Sequence, residues 1–168
     1  MLGLCHPRSS EREDDQAIMF HTLLVPTDGS KPATKAVVIA ADLAQKYDAK
    51  LIILHVMREL GREGVSEGLR AYAKVEHIHV SERDALESLA DQVTQSAKKL
   101  ALEHKAPDVE IQTEVGDAAS IILNVARNRN ADLIVMGSRG LGEIQGLLMG
   151  SVSHKVAHLS ECTCATVK

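Results

Sequence analysis

Aromatic residues are almost absent from this chain: one Phe, two Tyr and no Trp. The core must therefore be aliphatic, and gripping single-stranded nucleic acid by base stacking is excluded as a main mode. A basic excess is also missing. Nineteen Lys and Arg face 23 Asp and Glu, leaving a net charge of −4 and a pI near 6.0. That excludes the electrostatic footprint of a DNA- or RNA-binding domain. An anionic ligand would have to be captured locally, by loop amides and one or two cations. No apolar run reaches the roughly 18–20 residues that span a bilayer, so no membrane role is expected, and the N-terminus lacks a charged-then-apolar signal pattern. Cysteine is scarce as well. Cys5, Cys162 and Cys164 do not make a disulfide framework and fit a reducing, cytoplasmic setting. Cys162-x-Cys164 has no second Cys or His pair at ligand spacing, so it reads as two small buried residues rather than half of a metal site.

What is present is a moderate-length chain of alternating strand and helix signals. Its 168 residues fit one domain with a substantial core. Residues 1–18, with Glu11, Glu13, Asp14 and Asp15 and no periodicity, read as a disordered extension, leaving 19–168 as the folded domain. Phe20–Thr27 is a short apolar strand closed by Pro26. Asp28-Gly29-Ser30 turns the chain, Ser30 caps a helix, and Pro32 sits in its first turn. Ala33, Val37, Ala40 and Ala44 carry that helix to about Lys46. Lys50–Met57 is apolar throughout, the mark of a central parallel strand. Arg58–Val80 is a long charged loop with a short helix near Leu69–Val75, a candidate lid. Ser81 opens a second helix running to about His104, striped by Leu86, Leu89, Val93, Ala97 and Leu100. Val109–Val115 alternates, as a strand nearer an edge does. Asp117 caps a third helix, Asp132–Met136 is a fourth buried strand, Ser151 starts a fourth helix, and Glu161–Val167 is a short last strand. This alternation predicts an α/β fold: a doubly wound, five-stranded parallel sheet, Rossmann-like, with helices on both faces. If the first and fourth strands are neighbours, Asp28 and the loop after the fourth strand face each other across the crevice where such folds bind ligands.

That loop is the richest stretch of the chain: Gly137-Ser-Arg-Gly140-Leu-Gly-Glu-Ile-Gln-Gly-Leu-Leu-Met-Gly150-Ser151. Glycines leaving a buried strand let backbone approach an anion, and the following helix start offers free N–H groups and the positive end of its dipole. It is not a P-loop, because Glu143 stands where Gly137-x4-Gly142 would need Lys. It is not the dinucleotide fingerprint, because Gln145 occupies the place of the third glycine. What stands is Gly137-x2-Gly140-x9-Gly150-Ser151, with Arg139 as its one cation.

This spacing resembles the nucleotide-binding signature of the universal stress protein family, and the similarity extends from Met19 onward. Leu24-Val-Pro-Thr-Asp-Gly-Ser30 resembles that family's first strand and turn. Leu54-His-Val56 is similar to the end of its second strand, Gly116-Asp117 to its turn before the third helix, and Leu133–Gly140 to its fourth strand and loop. The resemblance implies strand order 3-2-1-4-5 and an ATP-type nucleotide (ATP, ADP or AMP) between strands one and four. It implies that Asp28 takes the ribose hydroxyls or adenine edge and that Pro26, Thr27 and Val56 line the adenine pocket. Met136 and Gly137 would pass beneath the sugar, while Arg139, Gly140, Gly150, Ser151, Val152 and Ser153 surround the phosphates. It also implies a homodimer through the last strand, although Cys162-Thr-Cys-Ala-Thr-Val167 is shorter and more polar than the family's usual ending. One Arg is little compensation for a triphosphate, so Mg²⁺ bridging phosphate oxygens is expected.

The resulting expectation is an ATP-binding, nucleotide-responsive module in stress adaptation. A slow ATPase or self-phosphorylating enzyme is one alternative, and a dimeric scaffold binding no nucleotide is another. No catalytic residue and no protein metal ligand are assigned. His154 and His158, four apart on the last helix, share one face, but with no third ligand in view they read as solvated. His77 and His79 read the same way.

Overall fold

A computed structural model of the chain describes residues 20–57, 82–141 and 149–168, with the backbone alone described at 82 and 83. In order, the elements are β1 (Thr22–Pro26), α1 (Lys31–Tyr47), β2 (Lys50–Met57), α2 (Glu82–Glu103), β3 (Asp108–Val115), α3 (Ala118–Asn128), β4 (Leu133–Gly137), α4 (Ser151–Leu159) and β5 (Thr163–Val167). The five strands form one parallel sheet in the order β3-β2-β1-β4-β5. The chain winds outward from β1 to β3, returns across the sheet to β4 and finishes at β5. The reversal lies between β1 and β4, registered Leu23 against Leu133 and Leu24 against Ile134.

Alternation along the central strands builds two cores. Leu23 and Val25, Leu51 and Ile53, Leu133 and Val135 pack on one face with α1 and α2. Leu24, Ile52 and Leu54, Ile134 and Met136 pack on the other with α3 and α4. Because β1, β2 and β4 bury both faces, their sequences are nearly continuous aliphatic runs. The edge strand β3 departs from the alternation its sequence predicts, since Val109, Ile111, Gln112 and Glu114 are all half-buried while Thr113 and Val115 are exposed, and β5 stays half exposed.

Helix α1 turns Ala33, Ala36, Ala40, Ala41 and Ala44 inward, all buried. Small side chains let its backbone lie close to the sheet, and Gly137 is a consequence: a Cβ there would stand 2.8 Å from the Ala33 amide nitrogen. The strand entrances are tied by Asp132, whose carboxylate accepts the amides of His21 (2.7 Å) and Thr22 (2.9 Å).

Two strand starts differ by two residues from the sequence expectation, while the other strand boundaries agree or shift by one. The first strand begins at Thr22, because Phe20 leaves the sheet to pack edge-on against Tyr47 at 5.2 Å. The last begins at Thr163, because the Cys162 amide turns to the Ser160 hydroxyl (3.2 Å) instead of a neighbouring strand. The expected loop at 58–80, its short helix, the Ser81 cap and the extension 1–18 lie outside the described residues. Among the described residues, no helix is long and apolar enough to cross a membrane.

Candidate functional site

At the carboxyl ends of β1 and β4 the chain makes two tight structures that touch. The first is the turn after β1. The Thr27 amide still bonds to Leu54 O (2.8 Å), and the Thr27 carbonyl accepts from His55 Nδ1 (2.8 Å), so β2 holds the turn in place. A carbonyl only accepts, so Nδ1 carries the hydrogen and Nε2 is left for another partner. Asp28 then bends back on itself. Its Oδ1 accepts the Ser30 amide (3.0 Å), an Asx turn. Its Oδ2 accepts the Leu141 amide (2.9 Å), which lies beyond β4. Gly140 lies so close to this carboxylate that a Cβ would run into Asp28 Oδ2. Each carboxylate oxygen keeps a second lone pair, so Asp28 can still accept from ligand hydroxyls.

The second structure joins β4 to α4 through Ser138, which is buried. Its carbonyl accepts both the Gly150 amide (2.7 Å) and the Ser153 hydroxyl (2.8 Å), and its own amide donates to Val167 O (2.7 Å). The loop that leaves at Ser138 is thereby brought back to its origin at Gly150. Helix α4 starts there without a side-chain cap. Its first intrahelical bond is His154 N to Gly150 O (2.9 Å). The amides of Ser151, Val152 and Ser153 are the unsatisfied donors of a helix start, with no partner among the described residues. Helices α1 and α3 differ: Ser30 accepts from the Ala33 amide and Asp117 from the Ser120 amide. Bonds from the Ser120 hydroxyl and amide, and then from Lys155, hold the Asp117 carboxyl at about 2.

The structure gathers most of the residues singled out from sequence. Met136 is buried in the α3–α4 core and Val56 packs against that core. Alternation puts Pro26 on the same face as Leu24, so these three form an apolar strip at the strand ends. Asp28, Gly140 and Leu141 are in contact, and Gly150 adjoins Ser138 and Arg139. Arg139 is half-buried, and its guanidinium has no ion pair among the described residues. Ser151 and Val152 are exposed at the helix start. Two residues stand apart. The Thr27 side chain looks to the opposite face, into a pocket of about 250 Å³ shared with Val37, Val93 and Ala97, so only its backbone borders the strip. Ser153 is buried, with its hydroxyl given to Ser138 O, so only its amide is available. A second pocket, about 220 Å³, lies between the far ends of α3 and α4 and is not part of this crevice.

Sequence reasoning passed over Ser138, Leu141 and His55 as site residues. The first two act through backbone groups, which carry no residue-type signal. His55 follows from strand position, as the residue beside Val56 at the end of a central strand. Among the described residues, no group of three His, Cys, Asp or Glu is placed to hold a metal. Burial pushes the Cys164 thiol up, away from the thiolate a metal would need.

Residues 19–168 match the sequence pattern of the universal stress protein family. The chain is 37% identical over 153 residues to universal stress protein YxiE of Bacillus subtilis, covering 89% of this chain and 100% of that protein. Universal stress protein UspA from Lactobacillus plantarum shares the fold with a TM-score of 0.73 at 22% identity, over 89% of this chain and 99% of that one. A universal stress protein solved in complex with cAMP has a TM-score of 0.63 at 28% identity, over 89% of this chain and 97% of that one. With its sheet order, its strand-end crevice and this full-length similarity, the chain belongs to the universal stress protein family.

Proposed function

We propose that this protein binds an adenine nucleotide, ATP in first place, in the crevice between β1 and β4, and that occupancy of this site is its signal in stress adaptation. The uncapped start of α4 carries the reading. Three adjacent amides and the helix dipole form an anion site within one loop of a carboxylate suited to sugar hydroxyls. The similar protein bound to cAMP supports a purine nucleotide as ligand.

In this reading the base lies on Pro26, Val56 and Met136, an aliphatic slot that serves in place of an aromatic one. Asp28 accepts the ribose hydroxyls. Gly137 lies under the sugar, and Arg139, Gly140, Gly150 and the amides of Ser151, Val152 and Ser153 surround the phosphates. The described protein groups offer one cation, Arg139, to a triphosphate, so Arg139 and the α4 amides would hold the phosphates and a Mg²⁺ carried with them would supply the remaining positive charge. The chain pairs with a second copy along the free edge of β5, and it works in a reducing, cytoplasmic setting.

Calorimetry with ATP, with and without Mg²⁺, tests the reading directly. Saturable binding that weakens in Asp28→Ala is the expected result. Denaturing the purified protein and identifying the released nucleotide by mass spectrometry tests it without an assumed ligand. No binding of ATP, ADP or AMP under either condition would sink the proposal and leave a scaffold.

A further inference from the structure

Helix α4 has a second feature that the crevice does not use. Of its nine residues, Ser153 and Val156 alone are buried, so one long face stands open. On that face lie His154 and His158, both exposed, one helical turn apart. Their rings are nearly parallel, 15° between planes, with centroids 6.4 Å apart. Two other imidazoles among the described residues are tied down: His55 Nδ1 to the Thr27 carbonyl and His104 Nδ1 to Asp42 at 2.8 Å. Neither His154 nor His158 has a hydrogen bond to any described residue, so all four of their ring nitrogens are free. The nearest charges on the helix and its neighbour are already paired, Lys155 with Asp117 and Arg127 with Glu161.

We propose that His154 and His158 form a two-nitrogen chelate for a late first-row divalent ion, of the Ni²⁺, Cu²⁺ or Zn²⁺ class. Imidazole suits these ions, and residues four apart on a helix project on one side of it. With metal–nitrogen bonds of about 2.0–2.1 Å, two rings on one ion need centroids roughly 5 Å apart, which a small χ rotation of exposed side chains supplies. His158 lies in the last turn of α4, where the negative end of the helix dipole favours a cation. Two protein ligands leave coordination positions open to water or to a donor from another molecule. The ion binds apart from the nucleotide crevice, so this site stands or falls independently of it.

The test is calorimetric titration of untagged protein with Ni²⁺, using wild type, His154→Ala, His158→Ala and the double variant. Both residues are exposed, so circular dichroism should show an unchanged fold. The expected result is one site per chain in the micromolar range, weakened about tenfold or more by either single change. The Cu²⁺ complex should show two-nitrogen coupling in its electron paramagnetic resonance spectrum, reduced to one in either single variant. Asp28→Ala should leave metal binding intact. Wild-type affinity in the double variant would overturn the proposal. So would binding that survives both His changes and disappears in Cys162→Ser/Cys164→Ser.

Discussion

Two helices begin at the same crevice and begin differently. Helix α1 follows β1 and closes its own start: Ser30 accepts from Ala33, and Asp28 accepts from Ser30. Helix α4 follows β4 and leaves its start open, with Gly150 at the cap position and no side chain to serve it. The two strands are neighbours, so the contrast arises within one small region. A self-capped start has spent its N–H groups on the protein. An uncapped start keeps them for something else, and its stability is completed by whatever anion arrives. The difference leaves α4, rather than α1, with donors open at its start.

The sharpest way to break this arrangement is at the seam between the two. Gly137→Val would drive side-chain atoms into the backbone of the first turn of α1, and overpacking of this kind costs about 3 kcal/mol. A urea melt should show that loss with or without nucleotide. Next in size is Asp28→Ala, which removes charge-assisted hydrogen bonds worth about 2 kcal/mol. ATP affinity should fall about thirtyfold in calorimetry while the fold persists. Gly150→Asp converts α4 into a helix like α1. Its backbone there, φ −75° and ψ 160°, accepts any residue, and a Cβ meets only ordinary contacts at 3.5 Å. The new carboxylate should raise stability by a few tenths of a kcal/mol, roughly the gain of a side-chain cap over glycine. It should also weaken ATP binding about tenfold or more, because it occupies the anion site with like charge. An unchanged ATP affinity would show that the helix start is not where phosphates bind. The reverse change, Ser30→Ala, uncaps α1 and should cost about 1 kcal/mol in the same melt with little effect on the nucleotide.

The smallest effect lies at the far side of the sheet and serves as a control. Hydrogen bonds from Arg129, then Lys50, hold the Glu110 carboxyl down at about 2, from an ordinary 4.5. A carboxylate lowered on folding stabilises above its unfolded pKa, and the contribution is lost as pH falls through the folded value. The melting difference between wild type and Glu110→Gln should therefore be present at pH 7, shrink below about 4.5 and vanish near 2. All three side chains are about one-third exposed, so solvent screening keeps this difference small at every pH.

The fold was legible because its signals are redundant. Central strands buried on both faces read as Leu51-Ile-Ile-Leu54 and Leu133-Ile-Val-Met136, helices carry Ser30 and Asp117 as caps, and alternation in Val109–Val115 placed β3 at an edge. The glycine spacing pointed to the loop after β4, where Gly137 and Gly140 pass close to neighbouring chain. Less legible was what each glycine does. Gly137 is required by the approach of α1, Gly140 by the Asp28 carboxylate, and Gly150 by neither, a distinction made by neighbours far away in sequence. The two-way use of Asp28 was hidden because one partner is the Leu141 amide, 113 residues away. Ser153 was expected around the phosphates largely through its amide, and its hydroxyl faces inward to Ser138, an orientation set by its place on the first turn of α4.

The peptide groups on either side of Ser138 form a joint. The amide takes its acceptor from Val167, at the end of the outer strand, and the carbonyl holds the entrance of α4. Displacement of β5 therefore reaches the open amides at the start of α4 through a single residue, with no side chain needed to relay it. If a second chain adds to β5, its docking energy and the energy of ligand binding share this connection. Linkage then works in both directions: a nucleotide that orders the start of α4 tightens the pair, and the pair tightens the nucleotide by the same factor.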